Sequence, residues 1–155
     1  MAKYTAQVVW TRQEDELFTD NRYSRGHYWL FDGGVKLPAS SSSHIVPRYS
    51  VDENVDPEEA FVASLSSCHM LFFLSIAAQK GFIIDEYRDD AVGVMAKNDA
   101  GKMAMTEVIL RPRVTFSGDL HADFAMLEHL HHLSHEECFI ANSVHTKVMT
   151  EIQMS

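Results

Sequence analysis

The longest apolar run in the chain, Phe61 to Ala78, holds eighteen residues and no charge when His69 is neutral. Only small or weakly polar side chains interrupt it: Ser64, Ser66, Ser67, Ser75, Cys68 and His69. Directly ahead stands Asp56-Pro57-Glu58-Glu59, which reads as a helix start. It offers a capping carboxylate, a proline at the first helical position and acids where the helix dipole favours them. The pattern predicts a helix from residue 57 to about Lys80, stopped by Gly81. Its length would suffice to cross a membrane. The serines and the acidic entrance mark it instead as a buried helix, apolar on every side, that needs cover from a sheet or from a second subunit.

Shorter patterns surround this helix. Residues 4–10 and 27–37 read as short strands, with Gly33-Gly34 marking a turn, and residues 38–55, with their run of four serines, read as a loop. After the helix, residues 83–97 and 102–116 predict two strands joined by a hairpin turn, Asn98-Asp99-Ala100-Gly101. In the second of these, Ala104, Thr106, Val108, Leu110, Val114 and Phe116 share one face, while Glu107, Arg111 and Arg113 fall on the other. A second helix is expected over about 121–136, with Met126, Leu127, Leu130 and Leu133 as its apolar stripe, and a last strand over 144–153. No repeat or linker divides the chain. The order of strands, helix, hairpin, helix and strand predicts an α+β fold in one domain, residues 1–155.

Composition narrows the partners. The chain has 155 residues, 46% of them apolar, so it can bury a substantial core. A formal net charge of -9 argues against nucleic acid or an anionic membrane, both of which need a clustered positive face. The first ten residues lack the basic segment and apolar core of a secretory signal, which places the chain in the cytoplasm. There a cysteine pair is more often catalytic, sensing or metal-binding than a permanent staple.

The chain has two cysteines, Cys68 within the apolar run and Cys138 directly after the histidine-rich second helix. Taken alone, a buried cysteine is usually an inert small hydrophobe. If the two meet in space, thiol redox chemistry follows. A competing arrangement is a zinc site: His131 and His135 are four apart on a helix, Cys138 follows three later, and Cys68 could be a fourth ligand. The chain lacks the local cysteine pairs that usually mark such sites, and no metal or cofactor is expected. Glu58 and Glu59 have a structural reason to exist as first-turn acids. Arg25 and Arg48 would ordinarily be solvated surface cations.

Three phrases carry a resemblance: Pro57-Glu58-Glu59-Ala60-Phe61, Ser66-Ser67-Cys68, and His135-Glu136-Glu137-Cys138-Phe139-Ile140-Ala141-Asn142-Ser143. Over nearly its whole length the chain resembles the OsmC/Ohr family of thiol-dependent peroxidases. The resemblance implies an OsmC-like fold in which two long central helices are wrapped by antiparallel sheets in an intertwined homodimer. It also implies reduction of organic hydroperoxides, with a dithiol reductant closing the cycle in oxidative stress defence. Carried over by position, Cys68 takes the place of the peroxidatic cysteine, Cys138 that of the resolving cysteine, and Glu58 that of the glutamate in the proline-glutamate motif. Arg25 is assigned as the arginine that completes the site, with Arg48 as its alternative. Two positions depart from the pattern. Phe139 stands where a proline often follows the resolving cysteine, and His69 where an aromatic often follows the first.

Such chemistry sets physical demands. The unperturbed thiol pKa is about 8.5 and burial raises it, so a nearby cation must hold Cys68 as thiolate. An arginine stays charged when desolvated, and Glu58 would orient its planar fork. Within one straight helix, the ten residues from Glu58 to Cys68 correspond to about 15 Å. That separation is too long for both to hold one arginine, so the glutamate is expected to come from a second subunit across a twofold axis unless the helix kinks or unwinds.

Overall fold

In the computed structural model, which describes residues 1–155, the expected first helix is present as α1 (Pro57–Gln79). Its entrance is a reciprocal capping box. The Glu59 N–H donates to Asp56 Oδ1 at 2.8 Å, and the Asp56 N–H donates to Glu59 Oε2 at 3.2 Å. The helix ends at Gly81, which adopts φ +88°, a conformation that glycine reaches without a Cβ penalty. Its buried residues, Leu65, His69, Phe73 and Ala77, recur every fourth position. The helix is therefore buried along one stripe and not all round within this chain, and Leu71 is 60% exposed.

The chain forms two compact units, Met1–Ala60 and Phe61–Ser155. The first holds an antiparallel sheet in which β1 (Ala6–Val9), β2 (His27–Phe31) and β3 (Lys36–Ala39) follow in sequence order. β3 runs through Pro38, where a loop was expected to begin. The missing N–H is tolerated because β3 is an edge strand. The loop that follows is tied back rather than free. Ser40, fully buried, accepts the Val51 N–H at 2.9 Å on its hydroxyl and donates its own N–H to Val55 O at 3.0 Å.

In the second unit the two long strands predicted over 83–97 and 102–116 are each broken in two. β4 (Ile83–Asp89) pairs with β7 (Pro112–Ser117), and β5 (Val92–Lys97) pairs with β6 (Met103–Leu110). The cause is local. Pro112 cannot donate to a ladder, and the Asp89 carboxylate takes the Arg111 N–H at 2.6 Å, which ends the pairing on both sides of the hairpin at one level. The other Asp89 oxygen accepts the Ser66 hydroxyl at 2.5 Å and so ties α1 to the break. The last strand, β8 (Lys147–Thr150), is shorter than 144–153 and lies parallel to β6.

The expected face of the hairpin is the buried one: Val108, Leu110 and Val114 are at most 6% exposed. At Gly93 in β5 an added Cβ would stand 2.5 Å from both Val62 of α1 and Met105 of β6, so glycine there lets the helix lie close on the sheet. The second helix, α2 (Phe124–Glu137), is capped by Asp123, whose carboxylate accepts the Met126 N–H at 2.8 Å. Leu127 and Leu130 pack with Phe73 and Ala77 of α1 and Val114 of β7 in one core, and Leu65, Val108 and Leu110 form another. The fold is α+β, two helices with largely antiparallel sheets.

Candidate active site

Cys138 is the residue that ends α2. Its backbone leaves the helix at φ −66°, ψ 110°, and a short 3-10 turn, Ala141–Ser143, follows. That turn is pinned at several points. The Asn142 amide donates to Glu136 O at 2.9 Å, the Asn142 N–H to Cys138 O at 3.0 Å, and the Ser143 hydroxyl to Phe139 O at 2.6 Å. The sulfur itself accepts the Ala141 N–H at 3.4 Å. It is 1% exposed.

Cys68, midway along α1, is half-buried. Its thiol is a near enough neighbour of Cys138 to raise the pKa of that thiol, and both cysteines are free. The two cysteines named from the sequence therefore meet. They are not equivalent. Burial pushes the Cys138 thiol up to about 11; the Ala141 N–H offsets part of that rise, and the neighbouring Cys68 adds to it. Cys138 thus keeps its proton across the neutral range, and the partner open to solvent is Cys68. Beside the pair, Phe139 is 70% exposed and meets the Phe72 ring edge-on at a centroid distance of 5.0 Å.

The other two named residues belong to the first unit. Arg25, just before β2, lies with its guanidinium 3.7 Å over the Tyr23 ring and donates to Tyr23 O and to Asn21 Oδ1, the latter at 2.8 Å. It lines a cavity of about 400 Å³ with Trp10, Phe18, Tyr23, His27 and Pro57. Phe18 stacks on Tyr23 at 4.7 Å and Trp10 meets Tyr23 at 5.3 Å, so the walls are aromatic. Arg48 is exposed, adopts φ 73° and does not line this cavity. Glu58 is the first-turn acid left over once Glu59 is committed to the capping box. It is half-buried, and burial, with Asp56 and Glu59 adding to it, raises its carboxyl above the ordinary range. No cation stands within ion-pair distance of it, Arg25 included.

The alternative zinc set does not assemble. His131 turns inward to His69, their Nδ1 and Nε2 2.9 Å apart, and His132 pairs with Glu136 at 3.2 Å. No group of three or more His, Cys, Asp or Glu side chains is placed to share a metal ion. The histidine pair was missed in the sequence, although a signal for it exists. His69 falls on the line Leu65, His69, Phe73, Ala77, and a polar residue on a buried stripe calls for a buried partner. Both rings are 2% exposed or less, and burial lowers their pKa to about 4 for His69 and about 3 for His131, each pushed further by a neighbouring imidazole. His69 Nδ1, His131 Nε2 and the nearby Tyr87 hydroxyl make no hydrogen bond to protein.

Comparison with known proteins adds a context for this geometry. No curated protein matches the chain. Among solved structures, an OsmC-like protein of unknown function from Vibrio cholerae is 57% identical, over 99% of this chain and 100% of that one, with a TM-score of 0.97. The organic hydroperoxide resistance protein OsmC of Legionella pneumophila shares 15% identity, over 100% and 99% of the two chains, at a TM-score of 0.68. The organic hydroperoxide resistance protein OhrB of Bacillus subtilis shares 17%, over 98% of each chain, at a TM-score of 0.63. These two share the fold. Residues 50–153 match the profile of the OsmC-like proteins. With that match over most of its length and a 57% identical relative along all but 1% of it, the chain belongs to the OsmC-like protein family.

Proposed function

We propose that this protein is a cytoplasmic thiol-dependent peroxidase that reduces organic hydroperoxides in oxidative stress defence. The observation that carries the reading is the asymmetric dithiol: two neighbouring thiols, one half-exposed and the other buried with its proton held. Some structural neighbours are named organic hydroperoxide resistance proteins, which agrees with it.

The chemistry balances as follows. The Cys68 thiolate attacks one oxygen of the hydroperoxide, the O–O bond breaks, and sulfur gains oxygen as a sulfenic acid while the other oxygen leaves as alkoxide and is protonated to the alcohol. Cys138 then attacks the Cys68 sulfur. The S–S bond forms, and the sulfenic oxygen departs as water with the thiol proton. A dithiol reductant returns two electrons and two protons. Arg25 is the cation proposed to hold the thiolate and to meet the charge on the departing oxygen. The aromatic walls around it suit a substrate with a hydrocarbon part, which gains from burial.

Glu58 is proposed to orient that guanidinium. A half-buried carboxyl with no cation beside it is a group that such a partner would stabilise. α1 runs unbroken from Pro57 to Gln79, so no unwound first turn shortens the ten-residue rise of about 15 Å. The reading therefore includes a homodimer in which a second copy would supply Glu58, and which would also cover the apolar side of α1 that carries Leu71. The test is stopped-flow reaction of reduced protein with one equivalent of cumene hydroperoxide, followed by thiol counting and non-reducing peptide mapping. The expected result is rapid paired loss of both thiols with a Cys68–Cys138 bridge inside one chain. Bridges between chains, or two free thiols after the peroxide is consumed, would overturn the reading.

A further inference from the structure

The two thiols sit on different elements, Cys68 on α1 and Cys138 at the end of α2, so their alignment depends on how those helices are held together. The shared packing of Phe73 and Ala77 with Leu127 and Leu130 is apolar. Apolar contact is non-directional, and it tolerates a small slide of one helix along the other. One contact between the helices is directional: the buried hydrogen bond between His69 Nε2 and His131 Nδ1 at 2.9 Å. No other side-chain hydrogen bond joins α1 to α2. Its placement matters, since His69 is the residue after Cys68 and His131 lies seven residues, about two turns, before Cys138.

We propose that His69 and His131 are positioning residues for the dithiol, a clamp that sets the register of α1 against α2 and so holds Cys68 and Cys138 at bridging distance. The proposal rests on the dithiol chemistry given above. A disulfide accepts Cα separations of only about 4.4–6.8 Å, so a slide of roughly 1 Å matters to it. Each neutral imidazole pair has one N–H between its rings and can have it in one register only; sliding the helices strands two desolvated polar groups in the core. Phe73 stacks on His131 at 4.3 Å and fixes the plane of that ring, which keeps Nδ1 aimed at α1.

The experiment measures the equilibrium of the Cys68–Cys138 bridge with reduced and oxidised glutathione, approached from both directions, in the full chain. His131→Phe keeps an aromatic ring against Phe73 but removes the bond, whereas His131→Asn keeps a hydrogen-bonding atom where Nδ1 stood. On the other helix, His69→Leu and His69→Gln make the same comparison, Gln placing its amide where Nε2 stood. We expect Phe and Leu to lower the bridge-forming constant about tenfold, ~30 mV, while Asn and Gln stay within about twofold of the parent. Should His131→Phe fail to fold by far-ultraviolet circular dichroism, the Leu and Gln pair at His69 decides alone. Constants equal to the parent's in His69→Leu, or an equal loss in Gln and Leu, overturn the clamp. Hydroperoxide consumption by the parent is followed in parallel. A parent that bridges but consumes no hydroperoxide refutes the peroxidase, and the glutathione constants still judge the clamp.

Discussion

Cys68 and His69 are neighbours in the chain, each meets its own kind on α2, and yet the two pairs have opposite characters. One residue step turns a helix by about 100°. That step puts His69 on the buried line with Leu65 and Phe73, and Cys68 toward a half-open flank. Burial then decides chemistry. Both imidazoles are so desolvated that they stay neutral well below the usual histidine range. The thiols differ from each other, because only Cys138 is fully enclosed. A pair with equal environments is suited to holding, and a pair with unequal ones is suited to reacting.

The sharpest way to break this comparison is to remove the sulfurs in turn. Cys68→Ser is expected to abolish hydroperoxide consumption. Cys138→Ser should still allow one attack per chain and leave a sulfenic acid that a dimedone adduct reveals by mass spectrometry. If the outcomes are exchanged, the assignment of roles by exposure is wrong.

Next in size is the cation. Arg25→Ala should slow the attack by about 10²-fold, the usual loss when one stabilising donor is removed. Arg48→Ala should leave the rate within about twofold, as expected for an exposed side chain away from the aromatic cavity. Single-turnover rates with cumene hydroperoxide check both, and a larger loss in Arg48→Ala would reverse the assignment.

The histidine pair should make itself known through acid. Its folded pKa values, about 4 and about 3, lie below the unfolded value near 6.5, so the unfolded chain binds more protons as pH falls. The stability it contributes is fully present above about pH 6.5 and is lost progressively as pH drops through 4 toward 3. Urea midpoints of the parent from pH 7 to 4.5 should fall by more than those of a His69→Leu, His131→Phe double variant. Parallel curves would mean that the pair is not neutral in the fold.

A smaller effect is expected where α1 touches the sheet. Gly93→Ala should cost about 1–3 kcal/mol in a urea titration, the usual penalty of overpacking, because Val62 and Met105 must move. A neutral result would show that α1 has slack on the sheet. The alignment of both pairs would then depend on α2 alone.

Much of this was legible in the chain. The entrance and end of α1 and the span of α2 follow from local chemistry, namely caps, proline placement, glycine stops and periodicity, and the structure has them within a few residues. The breaks in the hairpin were less visible. Pro112 inside a supposed central strand was a usable warning, but the carboxylate that completes the break, Asp89, lies more than twenty residues away in sequence. The parallel placement of β8 is equally non-local. In the site, spacing alone drew His131, His135 and Cys138 onto one face. What spacing could not carry was the inward turn of His131 toward a histidine sixty-two residues earlier. Glu58 and Glu59 looked alike in sequence, and only the capping box separates them.

Cys138 as a leaving group has a further consequence. A thiol that resists giving up its proton is also a poor thiolate to expel. In a bridge between the two sulfurs, an incoming reductant can reach the half-exposed Cys68, and success there requires Cys138 to depart as an anion into an enclosed space. Small monothiols should therefore open the bridge slowly, even where the overall potential favours reduction. In the proposed cycle the pace would then pass from the oxidant to whichever reductant can dock closely enough to protonate or expose the departing sulfur. The same enclosure that keeps Cys138 quiet would then make the oxidised protein a persistent record of any peroxide that had formed the bridge.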